Sequence, residues 1–149
     1  MTESRVGAPE QSPGFLLWRV TLSWQRQMRA ALAPHDLTHV QFVLLASLWW
    51  LAEHGSGPPT QAQLAEQAGT DLMMTSQVIR KLAGRGLVAR RRDPADSRAW
   101  RLALTPPGSR VLAGALADVE AADQAYFAVL GEDGGAFRRG LASLSAAPH

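Results

Sequence analysis

The stretch Thr60–Thr105, TQAQLAEQAGTDLMMTSQVIRKLAGRGLVARRRDPADSRAWRLALT, limits the fold more than any other part of the chain. It holds two sets of helix start and stop signals and then changes to the period of a strand. Thr60 with Gln63 forms a capping box, in which each side chain takes up a backbone N–H at the helix start. Leu64, Ala65 and Ala68 supply a small apolar face, and Gly69 stands where a left-handed C-terminal cap is required. Thr70 or Asp71 then caps a second helix. At about 100° per residue, Met74, Thr75, Val78, Ile79 and Leu82 share one side of it, and Met73, Ser76, Gln77 and Arg80 the other, with Lys81 at the edge. Two helices joined by a short Gly-containing turn fit a helix-turn-helix, whose second helix enters a major groove. The pair alone does not separate that motif from an ordinary helical hairpin with a polar outer face.

The residues that follow separate them. Gly84 and Gly86 end the helix, and Leu87-Val88-Ala89-Arg90-Arg91-Arg92 reads as a strand. Asp93-Pro94-Ala95-Asp96-Ser97 is turn chemistry, and Trp100–Thr105 reads as the returning strand with Leu102 and Leu104 facing inward. Lys81-Leu82, Gly86-Leu87-Val88 and Arg91-Arg92 lead into Asp96-Ser97-Arg98, Leu102-Ala103-Leu104-Thr105 and Gly108. In this ordered set the chain resembles the MarR family of transcriptional regulators, whose wing signature D-x-R-x-x-x-L-x-L-T-x-x-G it carries at unbroken spacing. A lone D-x-R would mean nothing. The resemblance is tight over the central third and, through helix order and length, extends over nearly the whole chain.

Charge supports the reading independently. Residues 80–101 hold eight basic side chains and two acids, a net +6 in a chain whose total is +2, so the remainder sums to −4. A basic patch on an acidic body suits a local duplex contact better than general coating of a polyanion. The patch lacks the continuous amphipathic helix that a membrane surface would take.

Elsewhere the chain reads as one ordinary domain of 149 residues, large enough to bury a core. It has no cysteine, which excludes disulfides, thiolate metal sites and thiol redox sensing. No apolar run approaches the roughly 18 residues of a membrane span, and the start lacks a signal-peptide pattern, so a soluble cytoplasmic protein is expected. The ends, Met1 to about Gln11 and Ala146–His149, are expected to be disordered. Ser12-Pro13 opens a helix to about Ala33, with Leu17, Val20, Trp24 and Met28 at helical spacing before Pro34 stops it. Thr38 and Gln41 form another capping box, starting a helix to about His54 that is apolar nearly all round and therefore expected to be buried on most sides. Gly55–Pro59 reads as a loop; the resembling family often places a short third strand there, but these residues are poor strand material. Thr105 caps a long helix with a stripe from Val111 to Leu130, ended by Gly131, and a last helix follows Asp133 with Phe137, Leu141 and Leu144. An amphipathic helix far from the reader calls for a further surface to cover, and two-fold pairing with a second chain is the economical answer. Bundling within one subunit is the alternative.

The resemblance implies a mainly α (α+β) fold in a single domain over 1–149. Helices at about 12–35 and 106–146 would form a dimerisation body. Residues at about 38–105 would form the winged helix-turn-helix lobe, with its recognition helix at about 71–83 and wing at about 87–105. The implied function is a homodimeric, sequence-specific regulator of transcription on double-stranded DNA. Repression by blocking polymerase is the default, and the sign of regulation is open. Thr75, Ser76, Gln77 and Arg80 are the recognition-helix candidates: Gln suits adenine, Arg suits guanine, and Thr75 or Ser76 suits phosphate. Arg90, Arg91, Arg92 and Arg101 are phosphate candidates, although strand alternation keeps some of them from the duplex. Arg98 resembles the family's minor-groove arginine, with Asp96 expected to pair with it and aim its guanidinium.

Members of the family often bind small aromatic effectors between the dimer body and the DNA-binding lobe. Trp24, Arg26, Trp49, Trp50 and His54 are the candidates here; the bland alternative is that large aromatics are core. His35, Asp36 and His39 do not share a helix face, so no metal is expected, and nothing implies a cofactor. No phosphate loop, nucleophile elbow or paired carboxylates suggest an enzyme. The remaining rival is a winged-helix module whose wing contacts an acidic protein.

Overall fold

The computed structural model describes residues 7–149. The expectation for Met1 to Val6 lies outside the described residues; Pro9–Gln11, expected to be disordered, form a turn of 3-10 helix. Six α-helices follow with a two-stranded sheet between the fourth and fifth: α1 Pro13–Leu32, α2 His39–His54, α3 Gln61–Ala68, α4 Leu72–Gly84, β1 Val88–Arg92, β2 Trp100–Leu104, α5 Pro106–Phe127 and α6 Gly134–Ala146. No helix of the described residues is long and apolar enough to cross a membrane.

Local chemistry sets most boundaries. Ser12 accepts from the Phe15 N–H at the start of α1, and Thr38 and Thr60 make full capping boxes with Gln41 and Gln63. Asp71, of the two candidates, caps α4, its carboxylate accepting from the Met74 N–H at 2.7 Å. Thr105 caps α5. Each such cap satisfies an N–H that has no partner within its own helix. Gly69 closes α3 at φ 75°, a left-handed conformation that costs a residue with a Cβ. Gly131 breaks the path from α5 to α6 with φ 53° and ψ −123°.

The core lies around α2. Leu44, Leu45 and Leu48 are fully buried with Leu64 of α3, Ile79 and Leu82 of α4 and Leu102 of β2, while Met28 and Leu32 of α1 and Leu112, Ala115 and Val119 of α5 close the other side. The helix is buried on most sides, as its all-round apolar character implies, but Trp49 and Trp50 near its C-terminal end are exposed.

The strands pair antiparallel from Val88 opposite Leu104 to Arg92 opposite Trp100. The loop before α3 makes no third strand. It contributes a single bridge of Thr60 to Arg101, with the Leu102 N–H donating to the Pro59 carbonyl at 2.9 Å. Two prolines in succession supply no N–H for a longer ladder.

Candidate nucleic-acid interface

The turn between α3 and α4 is tied from within. The Thr70 N–H donates to the Ala65 carbonyl at 3.0 Å. The Thr75 hydroxyl lies 2.7 Å from both the Thr70 hydroxyl and the Asp71 carbonyl. Thr75 is completely buried. That corrects its assignment as a phosphate contact: its hydroxyl is engaged in the turn and cannot reach solvent. Ile79 and Leu82 anchor the same side of α4 in the core. Met74, expected on that inner side, is exposed instead.

Gln77 and Arg80 face solvent from the opposite side, with Ser76 half-buried at its margin. Met73 stands on the same outward side, one turn before Gln77. The sequence reading put Met73 on this face but gave it no role; its place at four and seven residues before Gln77 and Arg80 was the available signal.

In the wing, side-chain carboxylates shape the turn. Asp93 accepts from the Ala95 N–H at 2.8 Å and Asp96 from the Arg98 N–H at 3.0 Å. Asp96 therefore holds the backbone of Arg98, and no Asp96–Arg98 ion pair aims the guanidinium as expected. The Arg98 side chain is exposed and makes no hydrogen bond among the described residues. Arg101 behaves differently. Its guanidinium grips Asp93 through Nε and a terminal nitrogen, each at 2.9 Å, and donates to the Pro58 carbonyl at 2.9 Å. Arg101 thus fastens the wing to the loop before α3, which removes it from the phosphate candidates. The Asp93 carboxyl is held below its usual range by the Ala95 N–H first, with Arg101 adding to the effect against desolvation.

Arg90 and Arg92 share one face of β1 and stack on the Trp100 indole, 4.4 and 4.7 Å from its centre. Arg92 also reaches the Ser97 carbonyl at 2.5 Å. Arg91 points the other way and is exposed. Trp100, absent from the sequence candidates, sets the position of both guanidiniums; its slot directly opposite Arg92 in the ladder was the only clue.

The base of the wing explains the rest of the signature. Thr105 donates its hydroxyl to the Gly86 carbonyl at 2.6 Å while capping α5. Gly108 is obligatory by space, since a Cβ there would lie 2.0 Å from the Leu87 carbonyl oxygen.

The five effector candidates do not converge within one chain. Trp24 donates its indole N–H to Asp123 at 2.8 Å and meets His39 edge-on at the start of α2. Trp50 stacks on His54 at the far end of that helix, about 16 Å away by helical rise. Trp49 is exposed beside it, and Arg26 borders a surface hollow with Leu16 and Arg19 on α1. Helical spacing placed all five on neighbouring helices but could not show at which end of α2 each would sit. His35 pairs with Asp118 at 2.6 Å, and no cluster of metal-ligating side chains exists among the described residues.

A helix-turn-helix anchored in the core by one side, a basic wing and flanking helices in this order have counterparts. Residues 37–100 match the model of the MarR family. The chain is 47% identical over 125 residues to the uncharacterized HTH-type transcriptional regulator YdcH of Bacillus subtilis, covering 84% of each chain. The chain belongs to the MarR family. It is a winged helix-turn-helix regulator of transcription. Among solved structures, this MarR protein is similar to BpsR of Bordetella bronchiseptica, studied for the regulation of its DNA binding by 6-hydroxynicotinic acid. The TM-score is 0.83 at 26% identity, covering 93% of this chain and 96% of that one. It is similar also to the transcriptional repressor CouR bound to a 23-mer DNA duplex, with TM-score 0.83 at 28% identity and coverage of 97% and 99%.

Proposed function

We propose that this MarR protein is a homodimeric repressor that reads a pseudo-palindromic operator. Residues at about 12–35 and 106–146 would form the dimer body, and about 38–105 the reading lobe. Each copy lays α4 in a major groove, with the two half-sites about one helical turn apart. Gln77 and Arg80 read adenine and guanine edges, Ser76 lies at the groove margin, and Arg98 enters the adjacent minor groove. Arg90 and Arg92, held by Trp100, meet phosphates along the wing. The observation that carries this reading is the outward polar face of α4 beside a wing whose Arg98 guanidinium is unengaged among the described residues.

The test is a mobility shift of the purified protein on DNA from its own promoter region, with a scrambled duplex as control, at two salt concentrations. Preference for the native fragment, weakened steeply by salt as phosphate contacts require, supports the reading. Equal weak binding to both duplexes overturns it in favour of a wing that contacts an acidic protein.

We propose further that a small aromatic effector relieves repression. The support is chemical: exposed Trp49 and Trp50 offer ring faces beside His54, and BpsR responds to an aromatic acid. An effector acts only through unequal affinity for the two spacings of the readers. Quenching of tryptophan fluorescence across a series of aromatic acids tests this, and no response from a folded dimer would count against it.

A further inference from the structure

The outward line of α4 is led by a side chain that cannot read hydrogen bonds. At 100° per residue, Met73, Gln77, Arg80 and Gly84 follow one another along the side opposite Thr75, Ile79 and Leu82. Gly84 leaves the end of that line bare, so its contacts come from Met73, Gln77 and Arg80. Met73 is 73% exposed and Leu72 beside it 58%. Single exposed apolar residues are ordinary on a surface. These stand at the N-terminal end of the recognition helix, the end that meets base edges in a major groove.

A thioether has no donor and is a poor acceptor, so Met73 cannot address the polar groups of a purine. The apolar feature in the major groove is the 5-methyl group of thymine. At this end of α4 the Asp71 carboxylate already accepts from the Met74 N–H, and its negative charge disfavours a phosphate beside it.

We propose that Met73 reads a thymine methyl in each half-site, giving α4 one apolar contact beside the hydrogen bonds of Gln77 and Arg80. This rests on the duplex-reading function proposed above. Sequence preference would then include a thymine that no polar side chain of the helix specifies.

The experiment begins by selecting duplexes from a random pool with the purified full chain. The best duplex is then compared with copies in which single thymines are replaced by deoxyuridine, which removes only the methyl group. We expect one position per half-site to weaken binding by about fourfold, the value of one buried methyl. Met73→Ala should bind thymine and deoxyuridine duplexes equally, and Met73→Leu should restore the difference. Equal binding of both duplexes by the unaltered protein overturns the proposal. So does persistence of the difference in Met73→Ala, or its loss only in Leu72→Ala. A pool that yields no enriched duplex at all overturns the duplex-reading function itself, a separate failure from a selected duplex that is indifferent to its methyl groups.

Discussion

The reading lobe and the two ends of the chain are built to different degrees of completeness. From α2 to β2, every helix is capped by a side chain and closes on one cluster, in which Leu44, Leu45, Leu48, Leu64, Ile79, Leu82 and Leu102 are fully buried. By contrast α6 buries no residue, and α1 buries only Met28 and Leu32 in its last turns. Phe15, Leu16, Leu17 and Trp18 of α1 and Phe137, Leu141 and Leu144 of α6 are left exposed. The lobe thus satisfies itself within one chain. The ends leave large apolar side chains in water, and pairing with a second copy is the economical way to cover them.

Breaking that second surface should have the largest effect. Phe137→Asp with Leu141→Asp should give a monomer by sedimentation. Operator affinity should fall about a hundredfold or more as linkage of the two half-sites is lost, while the lobe stays folded by circular dichroism. A dimer that survived both charges would place its contacts elsewhere.

Within the lobe, Gly108→Ala should destabilise by ~1–3 kcal/mol or more in urea unfolding, because its Cβ would meet the Leu87 carbonyl where neither backbone can yield cheaply. The wing arginines sharpen the contrast between reading and holding. Arg98→Ala should weaken operator binding by ~1–3 kcal/mol with stability unchanged. Arg101→Ala should lower stability with little change in the salt slope, since its guanidinium serves Asp93 and Pro58. Reversal of the two outcomes would exchange their roles. Asp71→Ala should cost about 1 kcal/mol of stability through the lost cap.

The smallest effect joins the two regions. Burial holds the His39 imidazole below its ordinary value, against the pull of Asp123 and with some help from Arg29. The unfolded chain therefore binds this proton more readily. The stability His39 contributes is present above its unfolded value near 6.5 and declines as pH falls below it. Unfolding midpoints of His39→Gln should fall less steeply from pH 7 to 5 than those of the unaltered protein; identical slopes would remove His39 from the account.

The lobe was legible because its signals are local. Capping boxes, the Gly69 turn and the alternation around Leu102 act over a few residues, and all lie where the chain placed them. The signature's Thr105 and Gly108 were visible as a pattern, but their reason, the close pass of α5 over Leu87, was not. The site was read less fully. Thr75 carried the right chemistry for a phosphate and the wrong burial, and Arg101 the right charge with Asp93 eight residues away ready to hold it. Trp24 and Trp50 looked like neighbours because helix order does not say which ends meet.

The amino-acid sequence by itself determined the element order, the helix limits, the basic wing and the membership of the family, since each depends on spacing along the chain. Only the tertiary structure decided which arginine is engaged and which is free. It alone buried Thr75, left Met74 exposed and set Trp100 beneath two guanidiniums. Those outcomes depend on what approaches a side chain from distant elements, and spacing along a chain does not encode that.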